Sequence, residues 1–342
     1  MNRSIFAVLL LTFAFRCLVL VPDVLAHAPL KPGDNESLAT ATFIPAPTKS
    51  WAIYGELHEG GEAQYYRFNM TEGQKIHVML FKSTRSEEAE FLPSFVLMGP
   101  GISEQGGVPD YVEKPAETRT FVVNGEQPAQ ATFEPFSPSS FYSLADVTIN
   151  APATGTYYIA VFESTIGGHY GLAVGDRESY TLDEWILIPF NLLSIYQWEG
   201  QSIILVFAPM ILTLIIGIGI MILRSKNKKT PRTPHGWIGS IAGLLFIGSG
   251  ATILFQLAFS LMKAPLGSET AITIVFALIP ILLGIGTLRL SWRVERKTDL
   301  KSRIYLAVLG VAALFAWAGL IIGSALAIIA SALPRRQNTG KA

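Results

Sequence analysis

Apolar and polar positions divide this chain into two stretches with different rhythms. From Trp51 to Gly175 the apolar residues come in short runs, rich in Tyr, Phe, Val and Ile, with no 3.6-residue period. Such runs, broken by turn residues, are strand signals. They predict strands at Trp51–Gly55, Ala63–Asn69, Lys75–Phe81, Ser94–Met98, Arg119–Val123, Phe141–Ile149, Thr156–Phe162 and Tyr170–Val174. Between them stand Gly60-Gly61, Glu72-Gly73, Gly99-Pro100-Gly101, Gly106-Gly107 and Gly167-Gly168, pairs that permit tight turns. An antiparallel, all-β sandwich of about eight strands follows.

From Gln201 the pattern changes to long uncharged blocks: Ile203–Leu223, Trp237–Met262, Thr270–Leu288 and Ile304–Leu333. About 20 apolar residues at about 1.5 Å each cross a bilayer core of about 30 Å. The expectation is a multi-domain chain, with a transmembrane bundle of four helices over 201–334 and a tail over 335–342. The fourth block is long enough to tilt, and a re-entrant segment is its alternative. Gly239 with Gly243, and Gly319 with Gly323, have the spacing of small residues that bring helices close, within one chain or between chains.

The junction, residues 179–200, carries Trp185, Tyr196 and Trp198 around apolar residues, with Pro189 and Asn191 against a clean span. Amphipathic aromatics favour the headgroup zone. An interfacial segment is predicted, with a strap packed on the sandwich as the alternative.

Charge sharpens the division. Residues 27–200 hold 9 Lys and Arg against 22 Asp and Glu, whereas 201–342 hold 15 against 3. The chain is neutral overall, yet one part is acidic and the other basic. An acidic domain disfavours nucleic acid as a partner. The basic residues cluster in loops 224–236 and 289–303, with a single Lys in 263–269. The excess of Lys and Arg on cytoplasmic loops places those two loops inside the cell and the β domain, 27–178, outside. The tail carries Arg335, Arg336 and Lys341, which four spans would leave outside.

Residues 1–26 read as a signal peptide. Arg3 precedes an apolar Ile5–Phe15, and Val24-Leu25-Ala26 or Ala26-His27-Ala28 offers a cleavage site. An uncleaved anchor is the alternative, since Arg16 interrupts the apolar run. The single cysteine, Cys17, lies in this segment, so disulfides and cysteine-based metal sites are excluded from the mature protein.

GDNESLATAT (Gly33–Thr42), AQYYRFNMTEGQKIHVML (Ala63–Leu80), ATGTYYIAVF (Ala153–Phe162) and HYGLAVG (His169–Gly175) occur in that order. In this arrangement residues 33–175 resemble the bacterial pre-peptidase C-terminal domain. Ala63-Gln64 stand where that family usually has an acidic residue, and Glu104–Ser140 is an insert-like addition. The resemblance implies a jelly-roll-like sandwich serving as an accessory, binding module without catalytic residues. The whole chain resembles membrane proteins of archaea and bacteria that join a signal, this sandwich and a few helices.

Candidate chemistry is sparse. A mature chain beginning at His27 would present an amino group and an imidazole, a pair that chelates Cu(II), and His58, His77 and His169 are further imidazoles. The plainer reading makes His58 a turn residue and the other two strand residues. The acidic groups Asp34/Asn35/Glu36 and Glu87-Glu88-Ala89-Glu90 lack the ligand spacing of a calcium loop and read as solvated. Asn35 and Asn69 head glycosylation sequons. Phe133–Pro138 reads as a plug over the core, with a binding lip as the alternative.

No Gly-x-Ser-x-Gly, His-Glu-x-x-His, Gly-x-x-x-x-Gly-Lys or Cys-x-x-Cys occurs. The apolar blocks contain no Asp, Glu, Lys, Arg or His, which disfavours a pump or proton-coupled carrier. The sequence thus supports no catalytic, cofactor-binding or metal-ligating assignment. The expected role is a multi-pass cell-membrane protein with a surface domain that binds an envelope protein or glycan. Copper handling at His27, or a small channel or carrier subunit, are the alternatives.

Overall fold

The computed structural model describes residues 27–116, 118–226, 233–292 and 300–333. The signal segment, 1–26, and the tail lie outside them. The described residues form two compact units: 27–201 with 260–266, and 202–259 with 267–333.

The first unit is a two-sheet sandwich. Its strands are β1 (Ala28–Leu30), β2 (Thr42–Phe43), β3 (Trp51–Leu57), β4 (Glu62–Met70), β5 (Lys75–Ser83), β6 (Ser94–Gly99), β7 (Arg119–Val123), β8 (Thr132–Glu134), β9 (Ser139–Asn150), β10 (Gly155–Glu163) and β11 (Gly168–Val174). One sheet, A, has the order β1-β3-β11-β5-β9-β8, and the other, B, the order β2-β4-β10-β6-β7. All eight expected strands are present. The other three are two- or three-residue pieces at sheet edges, too short to leave a period in the sequence. Two of them, β1 on β3 and β2 on β4, pair in parallel, so the sheets are mixed rather than purely antiparallel.

Ile53, Val78, Leu80 and Leu172 from sheet A meet Tyr66, Phe68, Leu97, Tyr157 and Ile159 from sheet B in one buried core. Side chains alternate faces along a strand, so the intervening residues of β4, β6 and β10 point out of sheet B. There Tyr65, Val96, Met98, Ala160 and Phe162 are buried too, under Leu38, Ala41, Val108 and Val112. Part of the insert-like region is therefore a cover for sheet B. Another part, Phe133–Pro138, extends from edge strand β8 and lies half-buried or buried.

Residues 179–200 form one helix, α1 (Leu182–Trp198), within the same unit. Pro189 sits inside it. Trp198 closes over the outer face of sheet A against Phe81 and Ala173, with Tyr54, Met79 and Phe141 around them. The layer order of this unit is α1, sheet A, sheet B, cover.

The second unit is helical: α2 (Ile203–Lys226), α3 (Pro234–Leu261), α4 (Thr270–Ser291), α5 (Leu300–Phe315) and α6 (Ile322–Ala332). Among the described residues three helices, α2 to α4, are long and apolar enough to cross a membrane. The expectation of four is corrected. The fourth block is two helices of 16 and 11 residues, about 24 and 16 Å long, too short to span singly.

The turn between α5 and α6 puts Trp317, Gly319, Leu320 and Ile321 at positive φ, which no continuous helix allows. It is held from outside: Gly319 N–H donates to Ser249 Oγ of α3 at 2.7 Å, and Gly319 and Gly323 press on Leu245 and Phe246. At the far end Arg303, at the start of α5, donates to the carbonyls of Ser331 and Ala332 at 2.6 and 2.8 Å. The block is a hairpin whose second helix returns to the end where the first begins, the shape that the re-entrant alternative requires.

Gly243 of α3 and Gly284 of α4 face each other so closely that a Cβ on Gly284 would lie 2.5 Å from the Gly243 carbonyl oxygen. This is the close helix packing expected of the Gly239/Gly243 spacing. Gly323 of α6 packs on Leu245 and Phe246 of α3, the close helix packing its spacing predicts, while Gly319 lies in the turn before it at φ +70°. His235 lies in the first turn of α3, not outside the span, and its Nδ1 is 2.7 Å from the Ala330 carbonyl oxygen.

Candidate functional site

The most elaborate polar construction of the β unit lies where α1 is fastened to sheet A. Thr181 caps the helix start: its side chain accepts from Glu184 N–H, and Glu184 accepts in return from Thr181 N–H at 2.8 Å. This is the reciprocal arrangement that Ser or Thr followed by Glu three residues later encodes. Lys49, on the segment before β3, donates to both Glu184 oxygens at 2.6 and 2.7 Å, tying the helix start to the sandwich.

The other end is tied by Arg85. The last carbonyls of a helix lack partners and carry partial negative charge. Arg85 Nε donates to Trp198 O and its Nη2 to Gln197 O, both at 2.9 Å. Gln201 N–H reaches Tyr196 O and Gly200 N–H reaches Gln197 O, the paired bonds of a Schellman stop. That stop requires a left-handed residue, and Gly200 takes it at φ +87°. Trp198 Nε1 donates to Tyr170 O at 3.1 Å, and its ring meets Tyr54 and Phe81 edge-on at 5.1 and 5.7 Å.

Arg85 stands on a buried polar knot. Lys82 is 1% exposed, and its ammonium donates to the carbonyls of Glu88, Ala89 and Phe91 at 3.2, 2.9 and 2.7 Å. Burial lowers its pKa below the usual lysine value, with Glu88 acting in the opposite sense. Glu88 accepts from Ser83 Oγ at 3.0 Å and from His169 N–H at 3.2 Å, and lies 2.5 Å from His169 Nδ1. Burial by itself would raise the Glu88 carboxyl; the hydrogen bonds and charge of His169, with Ser83, outweigh it and hold the group below the ordinary range. Glu88 was expected in a solvated acidic loop. The 3₁₀ turn Ser86–Glu88 rotates it inward, while Glu87 and Glu90 stay exposed.

Glu199, just after α1, is 4% exposed and accepts from Ser140 N–H at 2.8 Å. Burial pushes its carboxyl up to about 7.

The other sequence candidates are dispersed. His27 is hydrogen-bonded to Ser50, and burial, then the charge of His77, push it down to about 4. His77 Nε2 pairs with Asp146 at 2.9 Å. His58 is exposed beside Glu62 in its turn. Among the described residues no three His, Cys, Asp or Glu side chains are grouped to hold a metal ion. Asn35 is 1% exposed, leaving no room for a glycan, whereas Asn69 is exposed.

Lys49, Lys82, Arg85 and Glu199 were missed in the sequence. A Lys closing a strand of apolar residues, KIHVMLFKS, is the one local signal among them.

The arrangement positions a helix and buries charge, the Glu88–His169 pair included. Its chemistry is mechanical. No known protein-family model matches this chain, and no curated protein sequence is similar to it.

Proposed function

We propose that this protein is a membrane-anchored cell-surface protein whose β-sandwich, carried outside the cytoplasm, binds a protein or glycan of the envelope, the helical unit being its anchor. The observation that carries the anchoring is the set of three long apolar helices. The sidedness rests on charge: loops 224–236 and 289–303 are basic and the β unit is acidic. The hairpin supports it further, because α6 returns to the end where α5 begins. On this reading the basic tail, like loop 289–303, is assigned to the cytoplasm, as its charge favours. The binding role follows the resemblance to the pre-peptidase C-terminal domain, an accessory module.

Limited proteolysis of intact cells tests the topology. Cutting is expected at the exposed 103–107 loop of the cover and not at Lys226. Cutting at Lys226 with the cover spared would overturn the reading.

One observation favours a channel or carrier subunit as the second reading. Irregular backbone within an apolar block, as at 316–321, is tolerated only when buried in protein or lining a water-filled path. Gly319 and Gly323 press on α3, as protein burial requires, so the anchor is preferred. Solute flux in liposomes containing the purified protein, absent when 316–321 is replaced by a continuous helical sequence, would reverse that preference.

A further inference from the structure

The side of α1 turned away from the sandwich carries four exposed apolar side chains, with Asp183, Ser194 and Gln197 exposed beside them. Leu182, Ile186, Leu187 and Phe190 are 74, 40, 48 and 54% exposed. Leu182, Ile186 and Phe190 follow one another at four-residue steps and line one stripe. The helix cannot roll this stripe under, because its opposite side is held by Lys49–Glu184 at one end and by Arg85 and Trp198 at the other. Nor can it travel. Five residue steps lead from Trp198 to Ile203, at most about 18 Å of extended chain. From Ile203 onward the exposed side chains of α2 are hydrocarbon: Ile203, Ile204 and Leu205 are 50, 78 and 38% exposed. At 17 residues with an acidic first turn, α1 is itself no span.

We infer that the Leu182–Ile186–Leu187–Phe190 stripe lies in the headgroup layer of the bilayer that α2 enters, so that α1 serves as a rigid two-faced mount. This rests on the anchoring reading and extends it. With the layer order α1, sheet A, sheet B, cover, the mount turns sheet A toward the lipid and presents the cover of sheet B to the exterior. The partner-binding surface is then the cover, which includes Tyr111, 36% exposed, and not the face under α1. A stripe of this size left in water is otherwise a liability, and the membrane interface takes up large apolar side chains of this kind.

Site-directed spin labelling of the full chain in liposomes tests it. Single cysteines are placed in a Cys17→Ser background at Ile186→Cys and Phe190→Cys. Leu212→Cys on α2 and Gly107→Cys on the cover are the references; Leu212 is 57% exposed and Gly107 has open space around it. Collision with lipid-soluble oxygen is compared with collision with a water-soluble nickel chelate. The oxygen-to-nickel ratio at 186 and 190 is expected to be several-fold above that at 107 and to approach that at 212. A ratio at 186 and 190 equal to that at 107 overturns the mount, as does protection from both reagents, which would mean a protein or a second copy covers the stripe. A low ratio at 212 as well overturns the anchoring reading on which the mount depends.

Discussion

The two units keep their buried polar atoms in different company. In the sandwich unit the buried polar groups include charges, and they join residues far apart in sequence: Lys49 to Glu184, Arg85 to Trp198, Glu88 to His169, Glu199 to Ser140. In the helical unit many are hydroxyls bonded to the carbonyl one turn back in their own helix, as Ser240 to Gly236, Thr252 to Gly248 and Ser291 to Thr287. Contact between helices there is made by glycine against backbone. Apolar burial drives association in water, and charges can then be added where they select one arrangement. Lipid offers no such drive, so close backbone approach does the work, and many hydroxyls are satisfied within their own helix, with a few bonds such as Gly319 to Ser249 and Trp292 to Ser240 crossing between helices.

The comparison breaks most readily at Lys82. Lys82→Met leaves three carbonyls of the 88–91 turn without their donor, and the sandwich is expected to lose about 3 kcal/mol or more. Chemical denaturation followed by near-ultraviolet signals of the β unit measures this; a loss under about 1 kcal/mol would mean the ammonium is dispensable.

Glu199 supplies a pH test of similar size. Its folded pKa, about 7, lies above the ordinary 4.5, so the folded state holds its proton longer than the unfolded chain. Its contribution to stability is therefore complete below 4.5 and is lost as pH rises to about 7, a change of order 3 kcal/mol at most. His27, lowered to about 4, acts in the opposite sense, losing stability as pH falls from 6.5. The readout is thus the difference between the wild type and Glu199→Gln, which keeps an acceptor for Ser140. The variant is expected to gain on the wild type as pH rises from 4.5 to 7, and a constant difference would sink the idea.

Gly284→Leu carries the comparison into the helices. Its side chain would meet the Gly243 carbonyl, and a loss of about 1–3 kcal/mol is expected in detergent unfolding, with the β unit unaffected. Arg85→Gln removes the cation from the C-terminus of α1, an expected loss of about 1–2 kcal/mol seen as faster hydrogen exchange confined to that helix. Smallest is Gly219→Ala. No atom lies within 4 Å of the added methyl, and the change is expected within about 0.5 kcal/mol of zero.

What was legible in the sequence was local. The strands from Trp51 to Val174 announce themselves through short runs rich in Tyr, Phe, Val and Ile between turn glycines, and α2, α3 and α4 through length without charge. Edge strands of two or three residues, such as β2, leave no such mark. The acidic stretch 87–90 reads as uniform, yet a single 3₁₀ turn sends Glu88 inward and its neighbours out. Lys49 and Arg85 look like ordinary surface cations until a helix 135 and 112 residues further on presents Glu184 and Gln197 to them.

By itself the sequence determined which stretches would be sheet and which would be apolar helix, because backbone periodicity and transfer from water act residue by residue. Only the tertiary structure decided that 304–333 folds back as a hairpin, and that 179–200 is fastened to sheet A. Both outcomes depend on partners distant in the chain, Ser249 for the tip and Arg85 with Lys49 for the helix. No window of sequence contains the free energy of a contact whose two sides lie 70 to 135 residues apart.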